Sequence, residues 1–319
     1  EKELTSKNSK KNKDLFFLLY NLKGDFFIQN NQFEEGFYAF EQALKFVNSK
    51  SKKTMLYSKL AYISESKNMF KKAAEYLNQI QVFSNNSDTK IEAFRKWVEI
   101  MKRLKKYDEI ILKIEDSINS SKFDTEKLKD EFNMELAIAY MNNQEFSKSK
   151  NLFNDIINSS SQKRVQCESY YWLGYISLIQ EFDLELAKEY FDLVLETMRT
   201  SDFSKKTKQY LNEIKSYDKI LNEYQSNDEA ADNNGKDDKL SSSSNNFVNR
   251  KIEKDSLLFI IAEKLYFDFN QSQMSIQKHK ELINNYPNSN YVLRSEKIIN
   301  QLEGKVDSLF IDNIDTLKF

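Results

Sequence analysis

Side chains able to carry out covalent or proton-transfer chemistry are few and scattered. The chain holds one histidine, His279, and one cysteine, Cys167. A histidine works as a base or ligand only beside a nucleophile or metal, and a thiol becomes reactive only when a neighbour lowers its pKa. Neither residue has such a neighbour in sequence, so both read as packing residues. The acid pairs Glu34-Glu35 and Asp237-Asp238 fall in a solvated helix start and a polar stretch, not in a site for general acid–base work. No Gly-rich phosphate loop, zinc spacing, calcium loop or nucleophile elbow occurs. The sequence therefore reads as non-catalytic, with no cofactor and no metal.

Composition narrows the partners in the same direction. Lys plus Arg (48) nearly equals Asp plus Glu (49), leaving a formal charge of −1 across 319 residues. That balance supplies no field for drawing in nucleic acid or an anionic membrane. No stretch approaches the 18 apolar residues that would suggest a membrane-spanning helix. The apolar run from Leu15 to Tyr20 is cut off by Lys23 and Asp25, and is expected to form the inward stripe of a first helix. A single cysteine excludes an internal disulfide framework without fixing the compartment. The chain opens on Glu1, so an upstream segment is expected to have been removed or omitted.

What positions these residues is a repeated spacing. Gly24, Phe33, Gly36 and Phe40 recur as Ala61, Phe70, Ala73, Leu77, then Val98, Tyr107, Ile110, Ile114, then Ala137, Phe146, Ser149, Phe153. A fifth copy, Gly174, Leu184, Ala187, Phe191, is one residue longer inside, and the start points step by 37, 37, 39 and 37. Periods of this size mark helical repeat arrays. With only 5 Gly and 1 Pro the chain is far too poor in turn formers for an all-β fold. The expected fold is all-α, a right-handed α-solenoid of antiparallel helix pairs, in which small residues let paired helices approach and large ones interlock.

The expected organisation has four parts. Residues 1–13 are a Lys/Ser/Asn-rich tether, and 14–225 hold five repeats plus a capping helix striped by Leu211, Ile214, Tyr217, Leu221 and Tyr224. Residues 226–246 lose nearly all large apolar side chains and read as a disordered, mildly acidic linker or a long loop. From 247 to 319 a further repeat comes next, with Leu258, Ile261, Ala262 and Leu265 on one helix face and Ile276, His279, Leu282 and Ile283 on the next. A tail with Val306, Leu309, Phe310, Ile314 and Leu317 at helical spacing is expected to pack back as a cap.

These spacings resemble the tetratricopeptide repeat (TPR), whose helix A carries an aromatic, a Leu, a small residue and an aromatic, and whose helix B carries Ala, Phe or Tyr, and Ala. Tyr170, Leu173, Gly174, Ala187, Phe191 and Val194 match in the fifth repeat, and Leu136, Ala137, Tyr140, Ser149, Phe153 and Ile156 in the fourth. Val98 and Ile110 depart from it in the third, where the helices are expected to stand farther apart. Counted back from Pro287, His279 takes the helix B packing position that usually holds Phe or Tyr. The junction Tyr286-Pro287-Asn288-Ser289-Asn290-Tyr291 resembles repeat junctions of bacterial cell-envelope proteins, the outer-membrane-assembly lipoproteins and the partners of the Tol–Pal system. That resemblance implies an exported scaffold, often lipid-anchored through a removed N-terminal signal; a cytoplasmic protein is the alternative.

The resemblance also implies where a partner would bind, because the family's inner face is lined by set positions of helix A. Here they include Asn21, Asp25 and Gln29; Ser58, Tyr62 and Glu65; Arg95, Glu99, Lys102 and Arg103; Met134, Ile138, Met141 and Asn142; and Tyr171, Tyr175, Leu178 and Ile179. Of these, Tyr62, Arg95, Glu99, Lys102, Arg103, Met134, Asn142, Tyr171 and Tyr175 are the candidate partner-binding residues. The third repeat offers cations for a carboxylate, and the fourth and fifth offer apolar and aromatic surface for a protein segment. Alternatively, Arg95 and Glu99 pair along their own helix and Ile138 and Leu178 are covered by the next repeat. Asn21 and Asp25 stand where chaperone-tail-binding members carry a basic residue and Asn, so that clamp is not expected. The resulting reading is a protein–protein scaffold; an RNA-binding repeat protein, or the non-catalytic arm of a larger enzyme, are the rivals.

Overall fold

A computed structural model describes the backbone of residues 2–120, 125–233 and 244–309. Among the described residues there are fourteen α-helices, one π-helical turn and no strand. The chain divides into two compact units, Glu1–Gln144 and Glu145–Phe319.

The first unit runs α1 (Lys2–Gln29), α2 (Phe33–Leu44), α3 (Lys50–Ser66), α4 (Phe70–Phe83), α5 (Ser87–Arg103), α6 (Tyr107–Asn119) and α7 (Thr125–Asn142). Each helix packs on the next, as short turns between antiparallel helices require. The small residues set how close they come. A Cβ built on Gly24 of α1 would lie 2.4–2.8 Å from the ring of Phe40 in α2, and one on Gly36 would meet Ile28 at 2.6 Å. Phe17, Phe40, Ala43, Val47, Leu56, Leu60 and Ile63 fill the resulting core. In the third repeat Val98 and Ile110 are buried where the other copies hold smaller side chains.

The turns repeat as faithfully as the cores. Asn31, Asn68, Lys105, Gln144, Phe182 and Asn270 all have positive φ, between 52° and 63°, and each comes just after the end of a helix A. The left-handed residue reverses the chain and lets backbone N–H groups cap the last carbonyls of that helix. In the first four copies it lies seven residues after the opening residue of the pattern, at 24 and 31, 61 and 68, 98 and 105, and 137 and 144. In the first three the closing bond spans five residues: Gln32 N–H to Phe27 O, Met69 N–H to Ser64 O and Lys106 N–H to Met101 O.

The second unit contains α8 (Phe146–Ser159), α9 (Lys163–Tyr175), the π-helical turn Ile176–Glu181, α10 (Leu184–Thr197), α11 (Asp202–Asn233), α12 (Ser244–Phe267), α13 (Ser272–Asn285) and α14 (Val292–Leu309). The π turn is where the extra residue of the fifth repeat goes. Phe182 lies eight residues after Gly174, not seven, and Asp183 N–H reaches across six residues to Ser177 O at 2.9 Å. A Cβ on Gly174 would meet the Phe191 ring at 2.6 Å, so the pair below the insertion stays in register. A sixth copy uses the same longer closure. Asn270 comes eight residues after Ala262, Gln271 N–H bonds Leu265 O, and Ser275 and His279 stand where Ala187 and Phe191 stand one copy earlier. Ala262, Ser275 and His279 are all fully buried. Both units are thus stacks of antiparallel helix pairs, the all-α solenoid architecture.

Three boundaries differ from expectation. Residues 2–13, read as a tether, continue α1 as helix, because lengthening a nucleated helix costs far less than starting one. Much of the segment 226–246, read as a linker, is helical at both ends, with α11 reaching Asn233 and α12 starting at Ser244; residues 234–243 lie outside the described residues. The division between units falls after Gln144, not in that segment. Phe269 packs edge-on to Phe182 (5.8 Å) and Tyr217 (5.4 Å), and Gln271 Nε2 donates to Ile179 O at 2.8 Å, tying the last helix pair to the fifth. Of the tail cap expected from Val306 onward, residues as far as Leu309 continue α14, and the rest lies outside the described residues.

Candidate protein-binding face

In the first unit the first helix of each pair contributes one face, and ion pairs stitch neighbours along it. Lys59 of α3 reaches Asp25 of α1 at 2.6 Å and also donates to Asn21. Arg95 of α5 makes a two-pronged pair with Glu131 of α7, at 2.5 and 2.6 Å, which raises its already high pKa. Lys102 of α5 pairs with Glu135 of α7. Arg95 therefore bonds across helices, not along its own helix to Glu99 as one reading of the sequence had it. Two of the three cations expected to wait for a partner's carboxylate, Arg95 and Lys102, are already met by the chain's own. Such exposed pairs add little stability.

Between α1 and α5 the face is open. Tyr62 of α3 is 63% exposed, and an open pocket lies on each side of it. One, of about 260 Å³, is lined by Asp25, Ile28, Phe40, Ser58, Lys59 and Ile63 along with Tyr62. The other, of about 170 Å³, runs from Ser58 and Glu65 across to Glu92, Ala93 and Lys96 of α5. Farther along, Glu99 shares a pocket of about 140 Å³ with Arg95 and Glu131. Arg103 is exposed with its guanidinium 5.6 Å from the Phe70 ring. Met134 is buried and presents no surface, whereas Asn142 is half-buried and donates its amide to Ile138 O at 2.8 Å.

In the second unit one expected aromatic anchor, Tyr171, belongs to the core, and the other, Tyr175, is half-buried beside it. Tyr171 is 1% exposed, with its ring against Trp172, Phe203 and Phe191. Tyr175 contacts Trp172 and Tyr210, and Tyr210 of α11 stacks on Phe191 at 5.5 Å. Burial pushes the hydroxyls of Tyr171 and Tyr175 up, and that of Tyr210 up to about 12. Helix α11 covers the Tyr171 ring with Phe203 and Tyr210 and meets Tyr175 through Tyr210, since burying large aromatic surface gains more than leaving it in water. Cys167 is likewise buried, with its thiol pKa raised by desolvation.

Among the described residues no three His, Cys, Asp or Glu side chains are placed to hold a metal ion. Among them no helix is long and apolar enough to cross a membrane. No protein-family description matches the chain, and no curated protein does. Solved structures do align. YrrB, a TPR protein with an unusual peptide-binding site, matches at 14% identity over 60% of this chain and 90% of its own, with a TM-score of 0.41. The apo form of RapI matches at 14% identity over 92% and 99%, TM-score 0.42. PilW, a widely conserved type IV pilus biogenesis factor, matches at 12% over 90% and 98%, TM-score 0.38. All lie below 0.5, so the helix-pair architecture stands on this chain's own geometry.

Proposed function

We propose that the protein is a non-catalytic scaffold that holds a segment of another protein on the first-helix face of its first unit, centred on Tyr62. The observation that carries this reading is Tyr62 itself, a large amphipathic side chain left exposed between two open pockets. Tyrosine on such a surface supplies apolar contact with one polar end and loses little entropy on binding, which is why it recurs as an anchor. The rims carry both signs, Asp25 and Glu92 against Lys59 and Lys96, which favours a mixed polypeptide over a polyanion. The near-zero net charge of the chain favours protein over RNA for the same reason.

Photo-crosslinking in the source cells tests it. A photoreactive phenylalanine at Tyr62 is expected to capture one discrete protein. The same group at Leu112, equally exposed on the second helix of the third pair, is expected to capture none. Ser58→Arg, which puts a long charged side chain on the wall that both pockets share, should abolish the product. Equal labelling at 62 and 112 would remove this face as the site. We also infer an envelope setting from the Tyr286-to-Tyr291 junction, in which Ser289 Oγ accepts the Tyr291 N–H at 3.1 Å and Tyr291 stacks on Phe259 at 4.7 Å. The complete reading frame tests that inference: an export signal with a lipid-attachment cysteine upstream of Glu1 supports it, and a frame lacking both refutes it.

A further inference from the structure

Helix α1 is apolar on two opposite sides. Phe17, Tyr20, Gly24 and Ile28 turn inward to α2 and the core. Leu15, Leu19, Leu22 and Phe26 lie half a turn away, and they are 62%, 56%, 57% and 61% exposed. Leu18, half exposed, widens the stripe. Together these five present about 500 Å² of apolar surface, as large as the largest patch on most monomers, which is often a functional one.

The spacing says what kind of surface covers it. Steps of four, three and four between 15, 19, 22 and 26 are those of a heptad seam, which receives the knobs of a helix and not an extended chain. We propose that the occupant is a second copy of α1, packed antiparallel about a two-fold axis between Leu19 and Leu22. Leu15 then faces the second copy's Phe26, and Leu19 faces the second copy's Leu22, so one stripe complements itself as an isologous contact requires. The two stripes alone bury about 1,000 Å². The flanking Phe16 and the stem of Lys23 bring this into the range of roughly 1,200 Å² where specific interfaces begin. Parallel pairing is disfavoured because the segment before Asp14, with lysines at 2, 7, 10, 11 and 13, would lie alongside its own copy. Antiparallel pairing sends the two segments to opposite ends. This surface is separate from Tyr62, so either reading can fail without the other.

Sedimentation equilibrium of the full chain between about 1 and 100 µM is the test, where those bounds are set by roughly micromolar affinity for an interface of this size. A monomer–dimer equilibrium is expected, with Leu22→Glu or Leu19→Glu weakening it by about 100-fold and leaving the far-UV circular dichroism unchanged. Orientation is read from disulfides in a Cys167→Ser background. A mixture of Leu15→Cys and Phe26→Cys chains should cross-link, and either alone should not. A wild-type chain that stays monomeric at every concentration overturns the proposal, as does a dimer indifferent to both Glu substitutions. Self-cross-linking of Leu15→Cys alone overturns the antiparallel arrangement. A monomer that floats with phosphatidylcholine vesicles, and loses that with Leu19→Glu, assigns the stripe to a membrane surface instead.

Discussion

His279 should stay neutral far below the pH at which a histidine ordinarily takes up its proton. It is fully buried on α13, with Nδ1 3.0 Å from Ser295 Oγ and the Phe259 ring edge-on at 5.4 Å. Among the described residues its Nε2 has no partner, so a charged imidazolium there would lack solvation. Desolvation lowers its pKa from 6.5 to about 4, and the nearby charge of Arg294, itself paired with Glu263, acts in the same direction. Between those values the unfolded chain binds a proton that the folded chain refuses, so stability rises with pH through that window. The neutral ring's contribution is complete above about pH 6.5 and is lost progressively as pH falls toward 4. A gap of about 2.5 pH units at roughly 1.4 kcal/mol each amounts to about 3 kcal/mol. Because His279 is the only histidine, its ring C2 proton gives a single resonance whose titration can be followed in the intact chain. The midpoint is expected near 4 in the folded protein. His279→Phe, the residue type at this position in three other copies, should flatten the stability profile between pH 4 and 6.5 relative to wild type. Carboxylates that titrate at the acid end are common to both proteins and cancel in the difference. A folded-state midpoint near 6.5 would refute the argument outright, since it would mean that the ring is solvated.

Three further outcomes are expected from the packing. Gly24→Ala should cost about 1–3 kcal/mol in urea unfolding, because its Cβ meets the Phe40 ring at 2.4 Å. Phe40→Leu should recover part of that loss, and strict additivity in the double-mutant cycle would deny the contact. Phe153→Ala should cost about 3–5 kcal/mol, as the side chain is fully buried and the helices around it cannot close the gap. A loss below about 1 kcal/mol would argue against a rigid core there. Lys105→Asn should stabilise by about 0.5 kcal/mol or more, because φ is 55° and Asn holds the equivalent turn at 31, 68 and 270. An unchanged melting midpoint would show that the turn is not strained.

Much of the array was legible because its signals are local and repeated. A small residue at 24, 61, 137 or 174 has one evident use in a helix pair, close approach, and the neighbouring aromatic rings show that approach directly at Gly24 and Gly174. The extra residue of the fifth copy was countable in the sequence, but only the backbone revealed that it widens one turn into a π-helix at 176–181. The sixth copy shows its helix B register through His279, counted back from Pro287, but only the backbone revealed the same lengthening at Asn270 and Ser275 in the place of Ala187.

The candidate site was far less legible. Counting positions along helix A placed both Tyr62 and Tyr171 on one surface, yet Tyr62 is exposed and Tyr171 is core. Position within a repeat fixes which side of its own pair a residue faces. Whether another helix then covers that side is decided by elements outside the pair, and α11 covers Tyr171. The run Leu15 to Tyr20 shows the same limit. Consecutive residues of a helix point in successive directions about 100° apart, so such a run cannot all face α2. Phe17 is buried, whereas Leu15, Phe16, Leu18 and Leu19 are turned to solvent.

By itself, then, the sequence determined the repeat length, the helix pairing and the positions that must be small, because these depend on neighbours within about forty residues. Tertiary structure alone decided which cations were already spent on Glu131 and Glu135, which aromatics were covered, and which flank of α1 was left bare. Those outcomes depend on surfaces brought together across repeats, and burial is a property of the assembled stack and not of any one helix.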